Sequence, residues 1–370
     1  MVVGAGVFGS WTALRLRESG RSVALVEAWG PGNPRSSSGG ASRVIRMGYG
    51  ADEIYTRWAL RSLIAWKELF ARAQCRELFQ PTGVLWTASP GHPHAEGTLS
   101  TFRKLGIRHE VLAMDDLRRR YSALRFERDA VGIFEPDCGA LLANRAVGAV
   151  TREAVNAGVE SLGGRIASPN EQRRLESIVT DRGRRIAADT FIFACGPWLP
   201  RLFPQAIGER IRVTRQTVFY YDAPEIGMPV WIDFSDPRGP YVIPPMDGKG
   251  FKLALDRHGP RFNPDQRKRS VPVSDTQEAR AVLAERFPAL ADARVLECEV
   301  CQYESTSTGD FLIDRHPGIP NVWLVGGGSG HGFKHGPAVG EYVASLLNGG
   351  PGEERFSWRG KTTEHRRSVY

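Results

Sequence analysis

The sequence is poor in cysteine, with five in 370 residues, an odd number without framework spacing. That excludes a secreted disulfide scaffold. No apolar run reaches the length of a transmembrane helix. The N-terminus runs straight into a glycine-rich motif, without the basic segment and apolar core of a signal peptide. A cytoplasmic protein with no membrane partner is expected. The eight histidines form no ligand-spaced cluster, so no metal site is expected. No nucleophile-elbow motif supports a Ser/His/Asp arrangement, and there are no internal repeats. One charge is in excess, with 49 Lys and Arg against 41 Asp and Glu and a net charge of +8. The basic clusters are Arg118-Arg119-Arg120, Arg173-Arg174, Arg184-Arg185, Arg267-Lys268-Arg269 and Arg366-Arg367. They are scattered and lack interleaved aromatics, which argues against a nucleic-acid partner. They read as solvated surface, or as a funnel for an anionic substrate. With 41% hydrophobic and 24% charged residues, the chain suits one large or two intertwined globular domains.

What is present begins with Gly4-Ala5-Gly6-Val7-Phe8-Gly9, between a Val-Val start and the run Val23-Ala24-Leu25-Val26-Glu27. This reads as strand, tight turn, helix and strand. Gly4 permits the turn, Gly6 lets a pyrophosphate approach the backbone, and Gly9 lets helix and strand pack closely. The helix start offers N–H groups to phosphate. Glu27 lies 18 residues after Gly9, placed to bind ribose hydroxyls. Only two residues belong to the strand before Gly4 once Met1 is set aside, which should weaken it.

Residues 31–40 read as a loop ending in Ser42-Arg43-Val44-Ile45-Arg46. Three apart, Arg43 and Arg46 would share a face of a helical turn. Asp52 predicts the cap of a helix running to about Ala73. Strands are expected at 82–86 and 190–194, and helices over 100–122, 143–157 (closed by Gly158) and from Asp275 or Thr276 to Pro288. The segments 212–221, 230–233, 241–243 and 251–255 alternate and carry turn signals, as antiparallel strands do. A strand at 297–303 follows. The buried-type strand 322–325 then enters a second glycine-rich turn with Gly328, Gly330 and Gly332, and Pro337 starts a last helix. The fold class expected is mixed α/β. A discontinuous Rossmann-like cofactor domain (1–80, 140–212 and 305–370) would hold an inserted substrate domain on an antiparallel sheet (81–139 and 213–304). Two glycine-rich turns suggest one cofactor gripped from both sides. The last helix would aim its positive end at it, which favours a flavin that turns anionic on reduction.

The pieces Gly4-Ala5-Gly6, Glu27, Ser42 to Arg46, Phe134-Glu135-Pro136, Cys301-Gln302-Tyr303, Asp310 to Asp314 and Gly330-His331-Gly332-Phe333-Lys334 run in this order along nearly the whole chain. Together they resemble the monomeric sarcosine oxidase and N-methyl amino acid oxidase group of D-amino-acid-oxidase-like flavoproteins. The resemblance implies FAD as cofactor, a small amine bearing a carboxylate as substrate, dioxygen as acceptor and a monomer. It implies that Cys301 bonds covalently to the flavin, which for a lone cysteine would otherwise read as an inert buried thiol. Arg46 and Lys334 match the pair holding the substrate carboxylate; without the motif they would read as a helix surface charge and a phosphate contact. Arg43 matches an arginine over the flavin ring. Lys252, otherwise a solvated strand lysine, matches the cation beside the flavin that helps dioxygen accept an electron. Tyr241 and Tyr303 match cavity tyrosines. Ser42 and the glycines of both turns belong to the cofactor set.

One position departs from that group. Asp256 stands where sarcosine oxidases carry histidine, and His258 follows two residues later. A cavity-facing Asp256 would pair with an amine or imine, so a bulkier or cyclic amine is expected rather than sarcosine. If the strand turns outward there, Asp256 would instead sit in solvent beside Arg257. Two further functions compete: a dehydrogenase passing electrons to another acceptor, and an RNA-modifying flavoprotein of the same fold.

Overall fold

The computed structural model describes residues 1–170, 174–266 and 268–364. Arg173, Arg267, Arg366 and Arg367 of the basic clusters lie outside the described residues. Some described members of those clusters make exposed surface pairs, such as Arg120 with Glu110 at 2.6 Å and Arg184 with Glu160 at 3.1 Å.

Two large sheets organise the chain. The first has six strands in the order Leu312–Arg315, Val322–Gly326, Phe191–Phe193, Val2–Val3, Ala24–Glu27 and Glu160–Gly163. All pair in parallel except Leu312–Arg315, which closes one edge antiparallel. The first strand has only two residues, yet both are buried and both are paired on each side. Being central offsets its shortness: its backbone groups are satisfied from two neighbours, and no edge is exposed. Helix Val7–Glu18 packs on helix Gly336–Leu347 so closely that a Cβ on Gly340 would lie 2.7 Å from the Trp11 backbone. Among the described residues no helix is long and apolar enough to cross a membrane.

The second sheet has eight strands: Val295–Thr306, Ile211–Tyr221, Phe251–Leu255, Pro240–Ile243, Val230–Asp233, Val84–Ala88, Val131–Glu135 and Glu110–Leu112. It is antiparallel apart from the parallel pair Val230–Asp233 with Val84–Ala88. Its side chains alternate between two environments. Phe219, Tyr221, Phe251 and Leu253 pack on Ala279, Val282 and Leu283 of helix Val273–Arg286. Val218, Tyr220 and Ala254 face the other way, toward Tyr241 and Cys301. A bulge between the pairs Tyr220–Glu297 and Tyr221–Val295 shifts the register of the edge strand. It sets Glu299, Cys301 and Tyr303 opposite Val218, Gln216 and Thr214.

Three expectations need correction. Residues 100–122 are not one helix. Helix Pro93–Leu105 stops at Gly106, in the left-handed conformation (φ 65°), and strand Glu110–Leu112 intervenes before helix Met114–Arg120. Ser42–Ile45 is a strand paired with Gly139–Leu142, so Arg43 and Arg46 do not share a helical face. Asp52 does precede helix Glu53–Arg72, but its side chain makes no cap. Its carboxylate is taken by Arg355 at 2.9 and 2.6 Å, because a guanidinium fork outcompetes a single N–H.

Candidate active site

The first turn has the geometry that its glycines require. Gly4 has φ +100°, where a side chain is strained, and a Cβ there would lie 2.5 Å from Ala194 O. A Cβ on Gly9 would fall 1.8 Å from Gly4 O, so only glycine lets this helix sit on its strand. At Gly6 a Cβ would project to 3.4 Å from Ser38 Oγ, into a cavity of about 680 Å³. Glu27 lines this cavity, with Oε2 accepting from Ala5 N at 2.7 Å and Oε1 from Trp29 N at 2.9 Å. Burial pushes its carboxyl up. The volume lies within the usual range for cofactor sites. Gly4, Gly6 and Glu27 line it around the first glycine turn, Arg43 lines it beside Cys301, and Gly328, Gly330 and Gly332 line it next to Tyr303. The second glycine turn is as tight as the first. A Cβ on Gly332 would sit 2.9 Å from Gly328 Cα, and one on Gly330 would strike the Tyr303 ring at 2.8 Å. These are the features an extended dinucleotide cofactor needs, so the residues fit FAD.

At the Cys301 end, Arg43 Nη2 lies 3.3 Å from Cys301 Sγ and donates to Ser37 O at 2.7 Å. Ser42 contributes its carbonyl, which accepts from Arg43 Nη1 at 2.8 Å and from Lys252 Nζ at 2.9 Å. Lys252 is not a solvated strand lysine: it is 2% exposed. Burial, and then the Arg43 charge, push its ammonium down to about 7. Its nitrogen lies 6.0 Å from the Tyr241 ring centroid.

Arg46 and Lys334 are both buried and meet at Tyr49. The Arg46 guanidinium lies between the Tyr49 and Trp86 rings, 4.5 Å from each centroid, and donates to Gly48 O. Lys334 Nζ donates to Tyr49 Oη at 2.7 Å and to His331 O at 3.0 Å. Burial, reinforced by Arg46, holds its ammonium well below the usual lysine range, and Asp256 acts in the opposite direction. Glu135 braces this loop, accepting from Met47 N at 2.7 Å and Gly48 N at 3.2 Å. Asp256 is half-buried and accepts from Tyr303 Oη at 3.1 Å, while its neighbour Arg257 turns outward to Glu278. The strand ends at Leu255, so the alternation expected to carry on to His258 does not apply.

The structure thus gathers Cys301, Tyr303, Lys252 and Tyr241 on one face of the eight-stranded sheet, with Asp256 just beyond. Gly9, Ser42, Arg46, Lys252, Lys334, Asp256 and Tyr241 are not among the walls of the large cavity. The expected helix pole is displaced: the cavity wall stops at Phe333, and a 3-10 turn, Phe333–His335, separates it from helix Gly336–Leu347. Sequence reasoning missed Tyr49, His331 and His335, which share one network. His331 Nε2 faces Gly309 O at 3.1 Å, which assigns its proton there and leaves Nδ1 to accept from Tyr49 at 3.1 Å. His335 Nε2 then donates to Tyr49 Oη at 2.7 Å. Burial and the Lys334 charge keep both imidazoles neutral. Their spacing of four, on the motif already singled out, was the available signal. Glu304 was also missed, and it lines the cavity. Among the described residues no group of three or more His, Cys, Asp or Glu could hold a metal ion.

Comparison with known proteins agrees with this geometry. Residues 1–346 match the family DAO, FAD dependent oxidoreductase. Monomeric sarcosine oxidase from Bacillus sp. (strain B-0618) is 30% identical over 368 residues, covering 96% of this chain and 94% of that protein. N-methyl-L-tryptophan oxidase from Citrobacter koseri is 26% identical, covering 94% of each. The crystal structure of L-proline dehydrogenase from P. horikoshii superposes with a TM-score of 0.84 at 20% identity, over 99% of this chain and 98% of that one, and so shares the fold. The chain belongs to the DAO family of FAD-dependent oxidoreductases and is an amino acid oxidoreductase of the sarcosine oxidase and N-methyl amino acid oxidase type.

Proposed function

We propose that the protein oxidises a secondary, N-methyl or cyclic amino acid other than sarcosine to its imine, with dioxygen leaving as hydrogen peroxide. The observation that carries this reading is the meeting of two buried cations, Arg46 and Lys334, at Tyr49, with the Asp256–Tyr303 pair within electrostatic reach of Lys334. A substrate carboxylate answers the cations. Arg46 presents a planar fork and Lys334 a point charge. Asp256 and Tyr303 then offer an acceptor and a hydroxyl to the amine nitrogen, a pairing suited to a larger or ring amine. Bound FAD would take up the two electrons of the C–N oxidation. Protonated Lys252 supplies a positive charge where dioxygen is reduced, and Arg43 holds the Cys301 thiol for covalent attachment of the flavin. Tyr303 walls the cavity, and Tyr241 stands on the same sheet face beside Lys252.

The division into a cofactor part (1–80, 140–212 and 305–370) and a substrate part (81–139 and 213–304) follows the two sheets, and the chain works as a monomer. The experiment is a screen of N-methyl and cyclic amino acids, with peroxide formation in air compared with dye reduction under nitrogen. Peroxide-forming turnover of a bulky or cyclic amino acid above sarcosine is the expected result. Turnover only with the dye would make the enzyme a dehydrogenase, and sarcosine as the best amine would refute the substrate assignment.

A further inference from the structure

Glu304 stands near the end of strand Val295–Thr306, 8% exposed, in the wall of the cofactor cavity. Its Oε2 accepts from Ser37 Oγ at 2.8 Å. Its Oε1 lies 3.2 Å from the position of a Cβ on Gly328 and 3.9 Å from that of one on Gly196. It therefore sits between the turns that follow two strands of the parallel sheet. Among the described residues it forms no ion pair.

Ser37 marks its place along the cavity. The Ser37 carbonyl is bound by Arg43 at 2.7 Å, at the Cys301 end. The adjacent Ser38 Oγ takes the N–H of Val7 at 3.1 Å, at the fingerprint end. Glu304 is midway between them. In an FAD that spans these two ends, the midway portion is the ribityl chain, which carries hydroxyl groups. A carboxylate is poorly suited to that place, because FAD brings a diphosphate and an unpaired buried charge is costly. Burial pushes the Glu304 carboxyl up to about 7, against hydrogen bonds from Ser37 and the Gly328 backbone and the field of Arg43. The other titratable groups on the cavity wall are Glu27, Asp181 and Asp265, the thiols of Cys195 and Cys301, the Tyr303 phenol, and the cations Arg165 and Arg201. His331, from the loop after Gly328, is turned away to Tyr49 and Gly309.

We infer that Glu304 is a cofactor-binding residue acting as the neutral acid, donating a hydrogen bond from its carboxyl O–H to a ribityl hydroxyl of FAD, so that FAD uptake above neutral pH carries one proton into the protein. The inference rests on the FAD dependence of the family. Flavin-free protein is prepared in a Cys301→Ser background, where no thioether can form. FAD and ADP are then titrated separately at pH 6, 7 and 8 by calorimetry in two buffers of different ionisation enthalpy. FAD affinity should fall about tenfold between pH 6 and pH 8, with uptake of about one proton at pH 8. ADP, which has no ribityl chain, should show neither effect. Glu304→Gln should abolish the pH dependence for FAD while keeping the affinity measured at pH 6. Glu304→Leu should lose about tenfold in FAD affinity at pH 6 and nothing for ADP, whose binding reports an intact fold. A pH dependence that survives Glu304→Gln, or that ADP shares, overturns the inference alone. Absence of FAD binding overturns it together with the cofactor assignment.

Discussion

Replacing Lys252 by methionine removes a cation that the fold pays to bury. Burial and the Arg43 charge drive the ammonium to about 7 from its ordinary value of 10.5. Because the folded pKa is depressed, the unfolded chain binds the extra proton between those values. The penalty is complete below pH 7 and fades as pH rises toward 10.5. At about 1.4 kcal/mol per unit, its full size is about 5 kcal/mol. Loss of the 2.9 Å hydrogen bond to Ser42 O returns about 1 kcal/mol of that. Lys252→Met should therefore be more stable than the parent at pH 7 by several kcal/mol. That advantage should shrink by about 1.4 kcal/mol for each unit of pH up to about 10. Urea denaturation midpoints at pH 7, 8 and 9 measure it. In stopped flow, flavin reoxidation by dioxygen should slow by about 10²–10³, with reduction by substrate little changed, because the cation acts on charge forming at oxygen. A stability difference that does not vary with pH, or equal slowing of both half-reactions, would refute the reasoning.

Three other substitutions probe separate parts of the site. Acid precipitation should leave the yellow colour in the pellet of the parent protein and in the supernatant of Cys301→Ser; flavin free in both would rule out a covalent link. Asp256→Asn should lower kcat/KM for the best amine by about 10–100-fold while leaving the flavin spectrum in place, and unchanged kinetics would put Asp256 outside the substrate cavity. Gly9→Ala should cost about 3 kcal/mol or more and strip the flavin, since its Cβ has no room beside Gly4 O. A Gly9→Ala protein that keeps its flavin and its melting temperature would show that the turn can open.

The legible parts of the sequence were those whose physics is local. The glycines of the first turn encode a dihedral angle and two close approaches, and all three can be read without a partner. The alternation over 211–257 encodes one face against helix Val273–Arg286 and one toward Tyr241 and Cys301, and period two survives translation into structure. What escaped depends on distant partners. Ser42–Ile45 is a strand because Gly139–Leu142 pairs with it, and nothing within five residues says so. Tyr49, His331 and His335 form one network across more than 280 residues. Glu304 lies on the strand's other parity from Cys301 and Tyr303, so alternation points it away from the face where the chemistry was sought.

The order of strands in the parallel sheet also bears on how the protein is made. Val2–Val3 leaves the ribosome long before its partners: one of its two neighbours is Phe191–Phe193, and beyond that lies Val322–Gly326. Its other neighbour, Ala24–Glu27, cannot alone hold a two-residue strand. The nascent chain therefore carries an unclosed half-sheet until residues 191–193 and 322–326 have emerged, and the nucleotide-binding turn is completed only then. Such long-range closure is slow and leaves apolar edges open meanwhile. Truncations from the C-terminus should yield insoluble chains rather than a smaller cofactor-binding unit, and FAD added during refolding should act late, on a sheet that has already closed.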